Sequence, residues 1–363
     1  MNKTMSGALA LLGCACAGAA LAQSQVQVYG VIDTSLVYTT NSNAAGDAVV
    51  KMPGLTGSVP SRLGFRGSEE VGDGMAVFFV LENGFNPDNG TAGQGNRLFG
   101  RQAALGLKGA YGTLTLGRQN NMTLYGALDS DVIGPNLFSV ASLDPYLANS
   151  RSDNAIGYLG RRAGIALGLT YSLGRDAAAS GGPAATNCAG EAPGNAKACR
   201  QVTALLGYDG NDYGLTTTYD ILYGHAGAAN GLSSSDLYDR RRTLNAYWKL
   251  GGSRLGGGVI DRSVGLAAGN SDSRLYYVNG SYQFAEPLAL DLQLARLDFA
   301  HSGNDATMLV ARLSYYLSKR TAVYSAFGHM DNRGSAAFAL DAGGTVGAGM
   351  SQSGLMAGIR HAF

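Results

Sequence analysis

Beyond its first two dozen residues the chain has no apolar run of roughly 18 or more, the length a helix needs to cross a bilayer. Apolar side chains instead recur at every second position. That period puts an oily face and a polar face on a strand. Val26, Val28, Gly30, Ile32, Leu36 and Tyr38 share one face, and Gln25, Gln27, Asp33 and Ser35 the other. Leu288, Leu290, Leu292 and Leu294 alternate with Asp291 and Gln293, and Leu309, Ala311 and Leu313 with Arg312 and Ser314. Between such runs stand Gly251-Gly252-Ser253 and Ala285-Glu286-Pro287, the turn chemistry that hairpins use. The fold class is therefore all-β and antiparallel, with about sixteen strands.

Alternation alone fits a soluble sandwich as well as a barrel. Three features favour a transmembrane barrel. The strands reach the roughly 9–11 residues that cross a bilayer obliquely. Tight turns alternate with long connections, near 41–59, 85–97, 119–152, 174–200, 224–237, 264–272 and 331–352. Tyr and Phe cluster near strand ends, at girdle height. Closure then follows, because an open sheet edge cannot be solvated in hydrocarbon. A barrel of about sixteen strands is too wide for its own side chains to fill and keeps an aqueous lumen.

Composition excludes the main rivals. Among 363 residues there are 54 Gly, and charged residues make up only 15%. The 27 basic and 26 acidic side chains nearly cancel, which leaves no basic excess for nucleic acid. A hydrophobic content of 45% excludes disorder. Residues 1–22 read as a cleaved signal peptide, with Lys3, a short apolar stretch and Ala20-Leu21-Ala22 before Gln23. A lipid box at Leu11-Leu12-Gly13-Cys14 is the rival reading. The mature chain, 23–363, is one barrel domain. It keeps Cys188 and Cys199, which an oxidising compartment would join as a disulfide across a surface loop.

Several segments resemble one family in order and spacing. They are Val28-Tyr29-Gly30-Val31-Ile32-Asp33, Ser61-Arg62-Leu63-Gly64-Phe65-Arg66-Gly67, Tyr111-Gly112-Thr113-Leu114-Thr115-Leu116-Gly117-Arg118-Gln119, Leu317-Ser318-Lys319-Arg320 and the ending Gly358-Ile359-Arg360-His361-Ala362-Phe363. Together they resemble the Gram-negative general porins of the β-proteobacterial type. The resemblance implies a homotrimer in the outer membrane that passes ions and small hydrophilic solutes passively, without a cofactor. It implies that the third long loop, 119–152, folds into the lumen. There Asp129 and Asp131 of that loop would face Arg62, Arg101 and Arg151 on the barrel wall, with Glu82 also near the eyelet. Arg66, Arg118 and Asp144 would brace the wall, and Phe363 would be the signal read by the barrel-assembly machinery.

Alternation tests these positions. Arg62 opposes Leu63 and Phe65, and Glu82 opposes Phe79 and Leu81, so both point inward. Arg151 and Asp153 oppose Ile156 and Tyr158. Arg101 shares parity with Leu105 and Leu107, so it would need a bulge near Gly106 to reach the lumen. Three arginines against about four eyelet acids imply weak selectivity, and the more compact arginine cluster leans it to anions. The run Arg240-Arg241-Arg242 reads as a solvated strand end, as a contact to lipopolysaccharide phosphate in the surrounding lipid, or as a feed of anions into the vestibule. The four His have no metal-ligand spacing, and no G-x-S-x-G or P-loop occurs. A porin specific for one substrate is the nearest alternative, and a barrel enzyme or an adhesin a more distant one.

Overall fold

The computed structural model describes residues 25–54, 56–134, 136–178 and 184–363. The leader expected over 1–22, with Cys14, lies outside the described residues.

The strands are β1 (Gln25–Thr39), β2 (Val49–Lys51), β3 (Arg62–Gly72), β4 (Met75–Gly84), β5 (Gln102–Gly109), β6 (Gly112–Asn120), β7 (Arg151–Arg162), β8 (Ile165–Ser172), β9 (Gln201–Asp209), β10 (Tyr213–Tyr223), β11 (Tyr238–Leu250), β12 (Ser253–Leu266), β13 (Gly269–Ala285), β14 (Leu288–Phe299), β15 (Ala306–Tyr316), β16 (Thr321–Asn332) and β17 (Gln352–Ala362). From β3 to β17 each pairs antiparallel with the next. β1 closes the ring. Its first half, Gln25–Val31, pairs with β3, and its second half, Val31–Thr39, pairs with β17. The three-residue β2 only lengthens that seam. The result is a closed sixteen-stranded barrel with no free edge.

The oily face of each strand points outward. Val26, Leu36, Leu206, Leu244, Leu294 and Leu355 are exposed side chains on the outer wall. In water they would be a defect, and in a bilayer they are the contact surface. At the closure, Gly30 and Phe363 exchange backbone hydrogen bonds of 3.0 and 3.1 Å. A Cβ on Gly30 would stand 2.4 Å from the Phe363 ring, so only glycine lets the terminal aromatic lie there.

One connection differs from the expectation. Residues 264–272 are not a long loop, because β12 and β13 run to a two-residue turn between Leu266 and Gly269. Both strands gain length by staying paired, which satisfies their backbone above the membrane. The remaining long connections leave from the same end of the barrel as this turn.

The segment 121–150 does not project outward. It begins with the short helix Met122–Ala127, capped by Asn121, whose side chain accepts from the Thr123 backbone N–H. Leu137, Phe138, Val140 and Leu143 from this segment pack with Val37, Ile260, Leu275, Met308, Val310, Met330 and Met356. Those wall residues sit on the inner face, where a water-filled channel would need polar groups. Met308-Leu309-Val310 is where the period of two breaks in sequence. Phe138 is fully buried, and shielding a side chain of that size is worth about 2–3 kcal/mol.

Candidate channel constriction

Two walls hold the inner loop differently. On the β9–β15 side its polar groups are tied down one by one. Arg241 grips Asp144 with two hydrogen bonds, 2.7 and 3.0 Å. Thr123 and Tyr146 both donate to the Asp220 carboxylate, the first at 2.7 Å. Asn279 donates to the Ser130 carbonyl at 2.9 Å and accepts from the Val132 N–H at 3.2 Å. Gln293 donates to Asp131 at 2.8 Å and accepts from the Val140 N–H at 3.0 Å. Arg312 holds Asp291 at 2.8 Å and donates to the Ile133 carbonyl at 3.2 Å. Burial opposes ionisation of Asp144, yet the Arg241 charge outweighs it and holds the carboxyl below the usual range. Burial wins at Asp131, which has no ion pair among the described residues, and pushes its carboxyl up.

On the β3–β7 side the charges gather around open space. Glu82 is buried and accepts from Arg101 Nε at 2.6 Å and from Tyr29 Oη at 2.9 Å. Arg62 Nε stands 3.7 Å from the same carboxylate and its Nη1 donates to the Pro60 carbonyl. Arg151 donates to Asn149 Oδ1 at 2.9 Å, and its buried Nε has no hydrogen-bond partner among the described residues. Among the described residues no carboxylate oxygen lies within 4.0 Å of Arg151. Arg101 and Arg151 line a cavity of about 770 Å³, with Lys51 and Asp341 from two long loops and Leu137 and Ala148 from the inner loop.

The positions read from sequence fall into three groups. Arg62, Glu82 and Arg101 form one cluster, and Arg101 and Arg151 share one cavity. Arg101 gets there without a bulge at Gly106, because the β4–β5 and β5–β6 registers are unbroken. It precedes β5, so strand parity does not bind it. Arg151 is also reached by another route than parity. The β6–β7 register shifts beside Gly117, at φ +110°, and Asn154 opposite has φ 48°, so the alternation slips by one there. Asp129 and Asp131 stand outside the cavity lining. Asp129 meets Arg254 at 3.3 Å, and Asp131 is held by Gln293.

The third group is bracing. Arg118 donates to the Gly100 carbonyl at 2.7 Å and to Asp153. Arg66 donates to Gln27 at 2.8 Å and lies 4.9 Å from the Tyr29 ring centroid. Cys188 and Cys199 are disulfide-bonded in the 173–200 connection. Arg175 in that connection is buried, donates to the Asn149 carbonyl at 3.1 Å and stacks over Tyr146 at 5.1 Å. The disulfide-bonded loop thereby buttresses the returning arm of the inner loop beside Arg151.

Sequence reading missed Asp33, Tyr29 and the latch residues. Asp33 accepts from Ser58 and Val59 N–H groups at 2.9 and 2.8 Å and from Tyr324 Oη, pinning the first loop to the wall. Its place on the polar parity of β1 was the available signal. Asn279, Gln293 and Arg312 also sit on polar parity, but nothing local marks what they hold. Arg241 corrects a reading: it is neither a solvated strand end nor a lipid contact, because it points inward to Asp144.

A closed barrel whose neck is narrowed by an infolded loop, with uncompensated positive charge on one side, defines a membrane channel. The chain belongs to the Gram-negative porin family, whose model matches residues 8–335. Outer membrane porin protein 32 of Delftia acidovorans is 29% identical over 386 residues, spanning 100% of both chains. An outer membrane porin protein of Bordetella pertussis is 30% identical over 414 residues, again spanning 100% of each. The solved anion-selective porin from Comamonas acidovorans matches in fold with a TM-score of 0.75 at 24% identity, covering 94% of this chain and 100% of its own. The protein is an outer-membrane porin that passes ions and small hydrophilic solutes down their gradients.

Proposed function

We propose that Arg62, Arg101 and Arg151 set the field at the constriction and give the channel an anion preference. The observation that carries this is Arg151: it lines the cavity, and among the described residues no carboxylate oxygen lies within 4.0 Å of it. Glu82 is shared between two arginines, so that cluster also keeps a positive excess. The acids of the inner loop are engaged elsewhere, Asp129 by Arg254, Asp131 by Gln293 and Asp144 by Arg241. Opposed charge across a narrow aqueous neck filters by sign, and here one sign is left uncovered. The solved porin from Comamonas acidovorans is anion-selective, in keeping with this reading.

The channel works as a passive pore rather than an enzyme, for solutes in general, and it assembles as a homotrimer. The test is a planar bilayer under a salt gradient. The reversal potential takes the sign of an anion-preferring pore. A cation-preferring potential overturns the assignment. Cross-linking of the detergent-solubilised protein that stops at dimers would overturn the trimer.

A further inference from the structure

No acid of the inner loop lines the cavity beside Arg101 and Arg151, but an acid from the far end of the chain does. Among the described residues that line it, Asp341 is the one carboxylate, against Lys51, Arg101 and Arg151. Asp341 belongs to the connection between β16 and β17, which folds back onto the inner loop. Leu340 is fully buried in the same apolar cluster as Phe138. Its N–H donates to Gln352 Oε1 at 2.7 Å, and its carbonyl accepts from Ser142 Oγ at 2.5 Å. The Ala342 N–H donates to the Leu137 carbonyl at 3.2 Å. Both chain neighbours of Asp341 are thus tied down, and its side chain is held at the cavity rim.

Asp341 is only 3% exposed. Lys51 Nζ forms an ion pair with its Oδ2. Beyond that pair, neither carboxylate oxygen has a hydrogen-bond partner among the described residues. A buried carboxylate without a partner is costly, so Lys51 is what lets Asp341 stay ionised there. Lys51 ends β2, opposite Val37 of β1, and its side chain is 34% exposed. The cation of the pair meets the water of the cavity, and the anion is largely withdrawn from it. The two residues also border a second cavity of about 460 Å³, with Ser42, Asn43 and Asp47. The pair therefore stands between two chambers.

We propose that Lys51 and Asp341 are a second specificity element of the channel. Asp341 is the acid that shares the neck with the arginines, and Lys51 masks it. With the mask in place the two charges cancel at a distance, and the field is left to Arg101 and Arg151. Without it a bare carboxylate faces the same water, attracts cations and repels the anions that the arginines draw in. The anion preference then depends on a lysine outside the arginine cluster as well as on the arginines. This role of the pair rests on the anion-preferring reading of the constriction.

The test is the reversal potential of the refolded mature protein in a planar bilayer under a potassium chloride gradient. Lys51→Gln should lower the anion-to-cation permeability ratio on the order of fivefold, and Asp341→Asn should raise it about twofold. The double variant K51Q/D341N should return to within about twofold of the parent. A pair that merely staples the β16–β17 connection behaves otherwise, because losing either partner loosens the same contact and moves the ratio the same way. Shifts of one sign, or no shift, overturn the proposal. So does a double variant that stays at the K51Q value, since the fall would then come from the Lys51 charge alone. Lys51→Cys, folded first and labelled in the bilayer, separates charge from folding, because Cys188 and Cys199 are already paired. A cationic methanethiosulfonate should restore the parent's ratio and an anionic one should lower it further; equal effects of the two overturn the proposal. A parent that prefers cations sinks the anion reading itself. An anion-preferring parent with unmoved variants sinks only the role of Lys51 and Asp341.

Discussion

The wall from β3 to β7 and the wall from β9 to β15 carry the same polar residue types and use them oppositely. On the second wall Arg241, Arg312, Asn279 and Gln293 are spent on the inner loop, and each contact closes space. On the first, Arg101 pairs with Glu82, Arg151 has no carboxylate oxygen within 4.0 Å among the described residues, and both border an open cavity. A charge paired inside a protein fixes structure, and its field is cancelled nearby. A charge left facing water in a narrow neck acts on whatever passes. Counting arginines and acids in the sequence cannot separate these two uses.

The sharpest way to break the comparison is to cut a latch. Asp144→Asn leaves Arg241 with Asp239 alone and should lower stability by about 3 kcal/mol, read as earlier loss of the folded band on heated gels. If the folded band melts like the parent's, the second wall is not what holds the loop. Next in size is the disulfide. Cys188→Ser with Cys199→Ser should cost the loop about 2–3 kcal/mol and open 173–200 to protease, with single-channel conductance unchanged. A conductance change would mean that the buttress through Arg175 also sets the neck.

A smaller effect probes the first wall. Arg151→Ser should lower the anion-to-cation permeability ratio on the order of fivefold, the weight of roughly 1 kcal/mol from one nearby charge in water. An unmoved reversal potential removes Arg151 from the field. The smallest effect is pH. Asp144 has a folded value held below its unfolded one, near 4. Its stabilisation is therefore fully present above that unfolded value and fades only as pH falls through the depressed one. Asp131 runs the other way: its raised carboxyl is relieved on acidification and adds no acid lability. Open-channel noise should stay flat from pH 7 to 5 and grow only in stronger acid. Noise that grows already at pH 6 would mean that another group controls the loop.

Much of the barrel is legible in the chain itself. Alternation gives the strands and their lipid face, and the turn residues give most hairpins, because both are local properties of neighbouring side chains. The 264–272 turn reads falsely as a loop because polar residues that continue a strand above the membrane look like one. At the site, parity works for Arg62 and Glu82, which lie inside regular strands. It points the wrong way for Arg101, which precedes its strand, and reaches Arg151 only by ignoring a bulge.

The sequence by itself determined long one-faced strands joined by alternating short and long connections, and strands of that kind in hydrocarbon satisfy their backbone only by closing into a barrel. Only the tertiary structure decided which charges act. Asp144 and Arg241 are 97 residues apart, as are Thr123 and Asp220. Such pairings depend on where the inner loop comes to rest, and that is settled by an apolar patch on the inner wall contributed by many strands at once. No single stretch of the chain encodes it.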